Sequence, residues 1–460
     1  MDEIKEKAFA WQKANADMFY ELADEIWKNP ELGMKEVKSS RLLADILRND
    51  GFQVETGVAD MPTAFVAVFG SGEPVIAFNA EYDALPKVSQ KVSTERSPVV
   101  EEGPGHGCGH NVLGTASVKA AISLKNILKE EGLNGTVKVF GTPAEELCIG
   151  KPFMAAAGLF KGVDVFLDWH PKFMNRSYAE GCNAYFSVKY HFHGKSSHGN
   201  MPWLGNSAFD AAMLQAHAVE LLREHIHPGD PPEGANTINY VFSTGGLSYP
   251  NVVPDHTTAW YVGRFVTSEL LQEVLAKIDR CAEAAAMATG TTVEREFVTA
   301  SHEKICNEVI SKVLSRNLEE AGAPSFAEEE QCFVKALQKN AHVTESGLDE
   351  SIIPYGKING AVQDTSEYSW FAPYGLLRLT MGPANLGWHN WVVTACAGSS
   401  VAHKTLDCAA RILTASAIDI LSDAEILRKA KAEWNAKVKE KEYLQLIPDG
   451  TKPDLGICNS

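Results

Sequence analysis

Apolar residues in the first third of the chain change between helical and strand spacing. Residues 4–28 and 37–50 carry apolar positions at helical spacing, and residues 111–132 form a longer helical pattern that stops at a glycine. Four short apolar runs have the composition of buried strands: TAFVAVFG (63–70), VIAFNA (75–80), TVKVFG (136–141) and VDVFLDW (163–169). Strands that alternate with helices predict an α/β fold with a mixed, mainly parallel sheet.

The middle of the chain has a different order of patterns. Strand-like segments are 184–194, 237–246, 257–266 and 291–298, and helical segments are 206–226 and 268–290. The order β-α-β-β-α-β predicts a ferredoxin-like α+β domain. We expect it to be inserted at residues 184–298, between two parts of a larger domain.

The α/β pattern returns after the insertion. Residues 300–322 read as a helix, LLRLTMG (376–382) as a strand, and 400–440 as mostly helical. The larger domain is therefore predicted to be discontinuous and to contain residues 1–183 and 299–460. In open α/β sheets, ligands bind beyond the carboxyl ends of the strands, and the polar motifs below follow such ends.

Charge and composition exclude several classes of partner. The net charge of −17 over 460 residues argues against nucleic acid and anionic membranes as partners. Residues 1–27 lack the pattern of a signal peptide, and no apolar run is long enough for a transmembrane helix. Nine scattered cysteines without framework spacing favour reduced thiols, so we expect a cytoplasmic protein.

The motif GHGCGHN (105–111) offers a soft thiolate and an imidazole on one loop. Cys108 and His110 suit zinc or a related divalent ion, and His106 is a third candidate. A glycine-rich turn whose side chains only pack or cap the following helix would give the same motif.

Three further motifs follow predicted strands. In GTPAEEL (141–147), Glu145 and Glu146 would point to different sides of an extended backbone, so that one binds metal and the other acts as general base. A helix N-terminus would also favour these carboxylates. His170 in DWHP and His389 in GPANLGWHNW face the same crevice on this interpretation, although each is also compatible with an ordinary loop histidine.

Together these motifs supply more ligands than one ion needs. A single zinc takes three or four protein ligands, so five candidates predict two divalent ions about 3.5–4 Å apart. Asp83 in AEYDALP can orient a ligand imidazole or simply form a turn. The five candidate ligands are Cys108, His110, Glu146, His170 and His389.

The inserted segment contributes candidates for substrate binding. His198 in FHGKSSHGN can stabilise an oxyanion, and Arg264 can bind a substrate carboxylate, with Asn251 nearby in sequence. A surface histidine and a strand arginine in an ion pair are the alternatives. The GKSS segment lacks the first glycine of a phosphate loop, and no G-x-S-x-G motif of a serine hydrolase occurs.

The chain resembles the M20 metallopeptidases, in particular the amidohydrolase branch that contains aminoacylases and p-aminobenzoyl-glutamate hydrolase. The resemblance covers almost the whole chain. The motifs that carry it are NPELGMKE, AEYDALP, GPGHGCGHNVLGTA, GTPAEE, DWHP, FHGKSSH, NVVPD and GPANLGWHNW. It implies a zinc-exopeptidase-like catalytic domain with two divalent ions and a lid domain that dimerises.

The resemblance also implies a role for each candidate. Glu145 would be the general base, and the five ligands would be those named above. Asp83 would support a ligand, His198 would polarise the scissile carbonyl in the other subunit's site, and Asn251 and Arg264 would bind the carboxylate end of a small-molecule substrate. The ions would be zinc or manganese, with cobalt as a third choice, and the protein a homodimer or higher homo-oligomer, with a related partner subunit as a further expectation.

Departures from the family pattern leave the substrate open. Asn206 stands where arginine is usual, and Leu147-Cys148 replaces glycine-rich residues after the glutamate pair. Trp203 adds aromatic surface, which favours a flat substrate. The expected activity is cleavage of the amide bond of an N-acyl or aminobenzoyl amino acid. The alternatives are deamination of an aromatic amine, a catalytically silent binding protein, and a structural oligomer with incidental metal.

Overall fold

The structure, a computed structural model, describes residues 3–229, 235–244, 249–439 and 441–459. Its strands are β1 (Gln53–Thr56), β2 (Phe65–Ser71), β3 (Val75–Glu81), β4 (Gly135–Thr142), β5 (Val165–Lys172), β6 (Arg176–Ser177), β7 (Ala179–Gly181), β8 (Ala184–His193), β9 (Thr237–Thr244), β10 (His256–Phe265), β11 (Thr292–Ser301), β12 (Lys357–Asn359) and β13 (Tyr374–Thr380). Its helices are α1 (Glu3–Ala14), α2 (Ala16–Lys28), α3 (Val37–Asn49), α4 (His110–Glu130), α5 (Gly150–Ala156), α6 (Ala208–Leu222), α7 (Ser268–Thr289), α8 (Glu308–Ala321), α9 (Glu328–Asn340), α10 (Trp391–Ala397), α11 (Ser400–Ser422) and α12 (Ala424–Val438).

The largest sheet has seven strands in the order β1-β2-β4-β3-β5-β13-β6. Its centre, β4-β3-β5-β13, is parallel, whereas the pairings with β2, β1 and β6 at the edges are antiparallel. Every residue of β5 except Lys172 is buried, as expected for a strand that is covered on both faces. The α/β fold with a mixed sheet agrees with the sequence prediction.

Helix α4 connects the sheet to the motif at residues 105–111. It packs against β3 and α11, and its small residues, including Ala116, Ala120 and Ala121, are fully buried. Because α4 lies against the sheet, its first residue, His110, is held close to the carboxyl ends of the parallel strands.

A second sheet has four antiparallel strands in the order β11-β8-β10-β9. Along β8, buried side chains alternate with more exposed ones, and α6 and α7 share a core with the buried set. The chain order of these elements is β-α-β-β-α-β, which confirms the ferredoxin-like prediction. The last strand of this sheet, β11, extends to Ser301, three residues beyond the predicted end of the inserted domain. The division into an inserted domain at 184–298 and a larger domain stays a prediction.

Two helical predictions are wrong in detail. The pattern over 4–28 forms two helices, and the side chain of Asn15 between them binds the carbonyl oxygen of Trp11 at 2.8 Å. The helix predicted for 300–322 begins only at Glu308, where Asn307 is the N-cap, because β11 continues through Ser301. Residues 245 and 246, the end of a predicted strand, lie outside the described residues. Among the described helices, none combines the length and apolar character needed to cross a bilayer.

Candidate metal centre and substrate residues

His110 begins α4 with a defined ring orientation. Its Nδ1 lies 2.8 Å from Oδ1 of Asp83, so Nδ1–H donates a hydrogen bond to the carboxylate and Nε2 is the nitrogen that would bind a cation. The preceding Gly109 has φ +83°, and a Cβ there would lie only 2.7 Å from the Met381 side chain. A side chain at position 109 would therefore displace the start of the helix.

Glu81, at the end of β3, is a site residue that the sequence analysis missed. Its Oε2 lies 3.3 Å from His110 Nε2. Both atoms are buried without a hydrogen-bond partner among the described residues, and so is Oε1 of Glu146. That Oε1 lies 3.9 Å from His110 Nε2. Two buried carboxylate oxygens beside one imidazole nitrogen are costly unless a positive charge lies among them, so the arrangement fits a bound divalent ion.

The glutamate pair lies on a short 3-10 turn, Glu145–Leu147, directly after β4. The expectation of an extended backbone here is wrong, because Ala144 adopts a left-handed conformation with φ +53° and turns the chain. This turn is fixed by two buried carboxylates. Oε1 of Glu36 accepts from the Ala144 amide at 2.8 Å, and Oδ2 of Asp83 accepts from the Glu146 amide at 3.0 Å.

Cys108 and His170 approach each other from different elements. His170 lies within β5 instead of the loop after it, and its Nε2 is 3.4 Å from the Cys108 sulfur. Its Nδ1 contacts the carbonyl oxygen of Pro171 at 2.7 Å, which directs Nε2 toward the thiol. A thiol and an imidazole at this separation match two ligands of one soft divalent ion.

His389 reaches the cluster from the loop between β13 and α10. Its Nε2 lies 3.4 Å from Oε2 of Glu146, and its side chain is 48% exposed. The backbone has φ +68°, and the amide donates to the carbonyl oxygen of Gly107 at 3.2 Å. This bond ties the loop to the motif that contains Cys108.

Three groups of ligand-type atoms overlap in space, each with its atoms within 4.8 Å of one another. Cys108 belongs to two of them, and His110 also belongs to two. The groups are Cys108–His110–His170, Cys108–Glu146–His389 and Glu81–His110–Glu145. The structure thus brings together all five predicted ligands, Glu145 and Asp83, and adds Glu81. Overlapping groups of this kind suit two neighbouring cations better than one.

The electrostatics of the cluster also favour bound cations. Burial and the carboxylates of Glu81 and Glu146 raise the pKa of Glu145 well above its usual range. Burial raises the pKa of Glu146 to about 7 and that of the Cys108 thiol to about 12, and it lowers the pKa of His389 to about 4. Burial lowers the pKa of His110, but Cys108 and Asp83 outweigh it and raise that pKa well above its usual range. Without a cation the Cys108 thiol therefore keeps its proton and Glu146 is only partly ionised near neutral pH, and divalent cations would favour the ionised forms that bind metal.

A buried lysine, Lys151, forms an ion pair with the Glu81 oxygen that does not face His110. Nζ of Lys151 lies 2.8 Å from Oε1 of Glu81 and 2.7 Å from Oδ1 of Asp364, and all three side chains are almost fully buried. The Nδ2 of Asn79 also donates to Oε1 of Glu81 at 2.8 Å. One oxygen of Glu81 is thereby fixed while the other faces His110. Such buried support is not readable from the sequence, where Lys151 lies in GKPFM without a charged neighbour.

The substrate candidates of the inserted segment are not joined to this cluster. His198 and Asn251 are exposed and lie 3.4 Å apart between Nε2 and Nδ2. Arg264 donates to Oδ1 of Asn239 at 3.3 Å and lies over the Tyr185 ring, and Trp203 is 75% exposed. None of the four forms a hydrogen bond or ion pair with the metal-ligand cluster in the described part of the chain.

His106, the third histidine candidate, is separate from these groups. Its ring is fully buried, and Nε2 contacts the carbonyl oxygen of Ile26 at 3.2 Å. It belongs to none of the three ligand groups. His106 therefore fits the alternative that it only packs in the glycine-rich turn, and not the prediction that it binds metal.

The chain is similar to a known protein family and to a protein of known name. A model of peptidase family M20/M25/M40 matches residues 77–360. The chain is 31% identical to a protein of Escherichia coli (strain K12) that is named as one subunit of p-aminobenzoyl-glutamate hydrolase, over 96% of this chain and 97% of that protein.

Two solved structures share the fold. An aminobenzoyl-glutamate utilization protein from Klebsiella pneumoniae has a TM-score of 0.58 and 18% identity, covering 88% of this chain and 97% of its own. A dinuclear metal-binding M20 peptidase from Bacillus subtilis has a TM-score of 0.53 and 17% identity, covering 87% of this chain and 99% of its own. At these identities the likeness concerns the fold alone.

Proposed function

This chain belongs to peptidase family M20/M25/M40, and we propose that it hydrolyses the amide bond of an N-acyl or aminobenzoyl amino acid. Family membership makes it a metal-dependent amidohydrolase that acts on C–N bonds. The observation that carries the proposal is the convergence of Cys108, His110, Glu146, His170 and His389 around orphaned acceptor atoms. The relative named for p-aminobenzoyl-glutamate supports an aromatic acyl group and a carboxylate on the substrate.

The five ligands named above would hold two divalent ions, with Glu81 beside these ligands. The ions would be zinc or manganese, with cobalt as a third choice. When bound, such ions lower the pKa of a water molecule between them toward neutrality and polarise a carbonyl oxygen. Cys108 and His110 each belong to two ligand groups, so both side chains would lie in the middle of the metal centre. Asp83 keeps His110 oriented through its Nδ1 atom.

Glu145 is the proposed general base. Its side chain is buried, and its Oε2 lies 3.7 Å from His110 Nε2. Glu145 therefore lies next to the ligands, and it belongs to neither of the two ligand groups that contain Cys108. Its carboxylate accepts a proton from the attacking water and then returns it to the leaving nitrogen. The reaction therefore ends with a free carboxylic acid and a free amino acid.

We place the substrate carboxylate against Arg264 and Asn251, the scissile carbonyl against His198, and the aryl group near Trp203. The guanidinium of Arg264 is suited to a bidentate carboxylate contact. His198 lies in an exposed loop and outside the cluster of its own chain, which supports its action in a second subunit's site.

The proposal extends to the organisation of the protein. Residues 1–183 and 299–460 would form the catalytic domain, and 184–298 a lid domain through which the chain forms a homodimer or higher homo-oligomer. Because the Escherichia coli relative is named as one subunit of a hydrolase, a related partner subunit is a further proposal. All nine cysteines are unpaired, which supports a reducing compartment such as the cytoplasm.

A product assay tests the proposed reaction. The metal-loaded enzyme is incubated with N-acyl amino acids, aminobenzoyl amino acids and aromatic amines, and released amino acid and ammonia are measured separately. We expect amino acid release, and a higher KM when the substrate carboxylate is blocked as an amide. Release of ammonia from an aromatic amine would instead support the deaminase alternative.

A variant tests the carboxylate contact. Arg264→Gln should raise KM for carboxylate substrates about tenfold or more with a smaller change in kcat, since one ionic contact is lost. Arg280→Gln, on α7, is the matched control and should leave KM unchanged. An unchanged KM in Arg264→Gln would contradict the assigned contact.

A further inference from the structure

Three histidines share one face of the four-stranded sheet, opposite the face that packs with α6 and α7. His193 on β8 lies directly across from His256 on β10, and His191 precedes His193 by two residues on the same face. The ring centroids of His193 and His256 are 5.0 Å apart, and those of His191 and His256 are 6.1 Å apart with the rings nearly parallel. None of these residues belongs to the candidate catalytic centre.

The three imidazoles differ in their partners. His191 is fully engaged, since its ring nitrogens contact Oγ1 of Thr258 and Oε2 of Glu296 at 2.9 Å each. His193 is exposed and His256 half-buried, and neither ring forms a hydrogen bond or ion pair with another described residue. Two imidazoles with available nitrogens therefore stand side by side at the surface.

We propose that His193 and His256 chelate one divalent transition-metal ion, in addition to the ions of the catalytic centre. Cβ atoms of directly opposed residues in an antiparallel pair are about 4.5–5.5 Å apart, so both rings can turn onto one ion with bonds of about 2.0–2.1 Å. Imidazole ligands suit copper, nickel and zinc, with copper bound most tightly.

The surrounding charge is compatible with a bound cation. Glu294 and Glu296 on β11 lie opposite His191 and Lys189 of the same face. Lys189 is neutralised by its ion pair with Glu296 at 2.8 Å. Glu294 is exposed and adds negative charge beside the histidines. Water would complete the coordination of an ion that the two histidines hold.

The pair lies at the end of a ladder that leads to the substrate candidates. Beyond His193 and His256, the Gly194 amide donates to the carbonyl of Asp255 at 2.8 Å, and the Val253 amide donates to the carbonyl of Ser197 at 2.9 Å. His198 then pairs with Val252. A metal chelate would therefore hold together the two segments that contain His198 and Asn251.

Nickel uptake by the holoenzyme tests the chelate. Protein prepared without a histidine tag, with its catalytic metals in place, is dialysed against Ni²⁺, and nickel and catalytic metal are counted in the same samples. We expect one nickel per chain beyond the retained catalytic metal. His193→Asn and His256→Asn should each weaken this uptake at least tenfold, and His217→Asn, an exposed histidine on α6, should not.

Backbone exchange provides a second readout that does not depend on catalysis. Bound nickel should slow hydrogen exchange of the Gly194 and Val253 amides in the wild type but not in His256→Asn, because the chelate restrains the ladder. Equal nickel uptake by wild type and His256→Asn would overturn the proposal. Nickel taken up only in exchange for catalytic metal would overturn it as well.

Discussion

The Oε2 atom of Glu81 lies 3.3 Å from Nε2 of His110, and neither atom has a hydrogen-bond partner among the described residues. These two atoms attract each other only when a proton or a divalent cation lies between them, and the further ligand atoms around His110 favour the divalent cation. The other oxygen of Glu81 is fixed by Lys151, which prevents the carboxylate from turning away. Glu81 is therefore a candidate member of the metal centre.

Glu81→Gln should weaken metal binding about 10–100-fold, because it removes a negative charge beside His110 while keeping an oxygen for Lys151. Turnover should recover when excess metal is added. Metal titrations followed by turnover would show this, with the exposed Glu55→Gln as control. Equal metal affinity in Glu81→Gln and wild type would exclude Glu81 from the centre.

Glu145→Gln should retain both metals but lower kcat about 10²–10⁴-fold, since it removes the proposed base. Glu146→Gln should instead lose metal, because its Oε2 faces His389 and its Oε1 faces His110. Metal content and kcat measured on both variants separate the two roles. Normal turnover in Glu145→Gln would refute its assignment as the base.

Mixed oligomers test whether His198 acts in a second subunit's site. Glu145→Gln and His198→Asn should each be nearly inactive alone. In an equal mixture that has exchanged subunits, a symmetric dimer should regain about a quarter of wild-type activity, because half of the dimers contain one intact site. No recovery, despite subunit exchange confirmed by mass spectrometry, would place His198 in its own chain's site or outside catalysis.

A buried ion pair should make stability depend on pH. Nε of Arg378 on β13 donates to Oε2 of Glu180 on β7 at 2.8 Å. Burial opposes ionisation of Glu180, but the Arg378 charge and hydrogen bonds outweigh it and lower the pKa of Glu180 from 4.5 to about 2. A lowered pKa contributes stability above about pH 4.5, and this contribution is lost as the pH falls toward 2.

Glu180→Gln should therefore cost about 3 kcal/mol of unfolding free energy at pH 7, and the difference from wild type should shrink below pH 4. Urea unfolding of both proteins at pH 7 and pH 3.5 measures this. The exposed Glu425→Gln, which breaks a surface pair with Arg428, is the control and should change stability little. A difference that does not change with pH would contradict the account.

The elements with strong periodicity were predictable from sequence. Helix α4 and the strands β3, β4 and β5 have buried runs that local spacing already indicates. The helix expected from residue 300 begins later because β11 pairs with β8 through Ser301, and this pairing depends on a strand more than a hundred residues earlier.

The candidate site was predictable where motifs carry ligand-type side chains, as with Cys108 and His389. Glu81 was missed because its strand pattern reads as a buried run, and its role depends on Lys151, which approaches from α5. The turn at Ala144 was also missed, since the buried Glu36 that fixes it is distant in sequence.

The most direct test of the two-metal account is removal and return of metal. The enzyme is stripped with a chelator, shown to be metal-free by mass spectrometry, and titrated with zinc or manganese while metal content and amide hydrolysis are followed together. The account predicts no hydrolysis by the metal-free protein and full recovery as two ions bind per chain. Sustained turnover by the metal-free protein would contradict it.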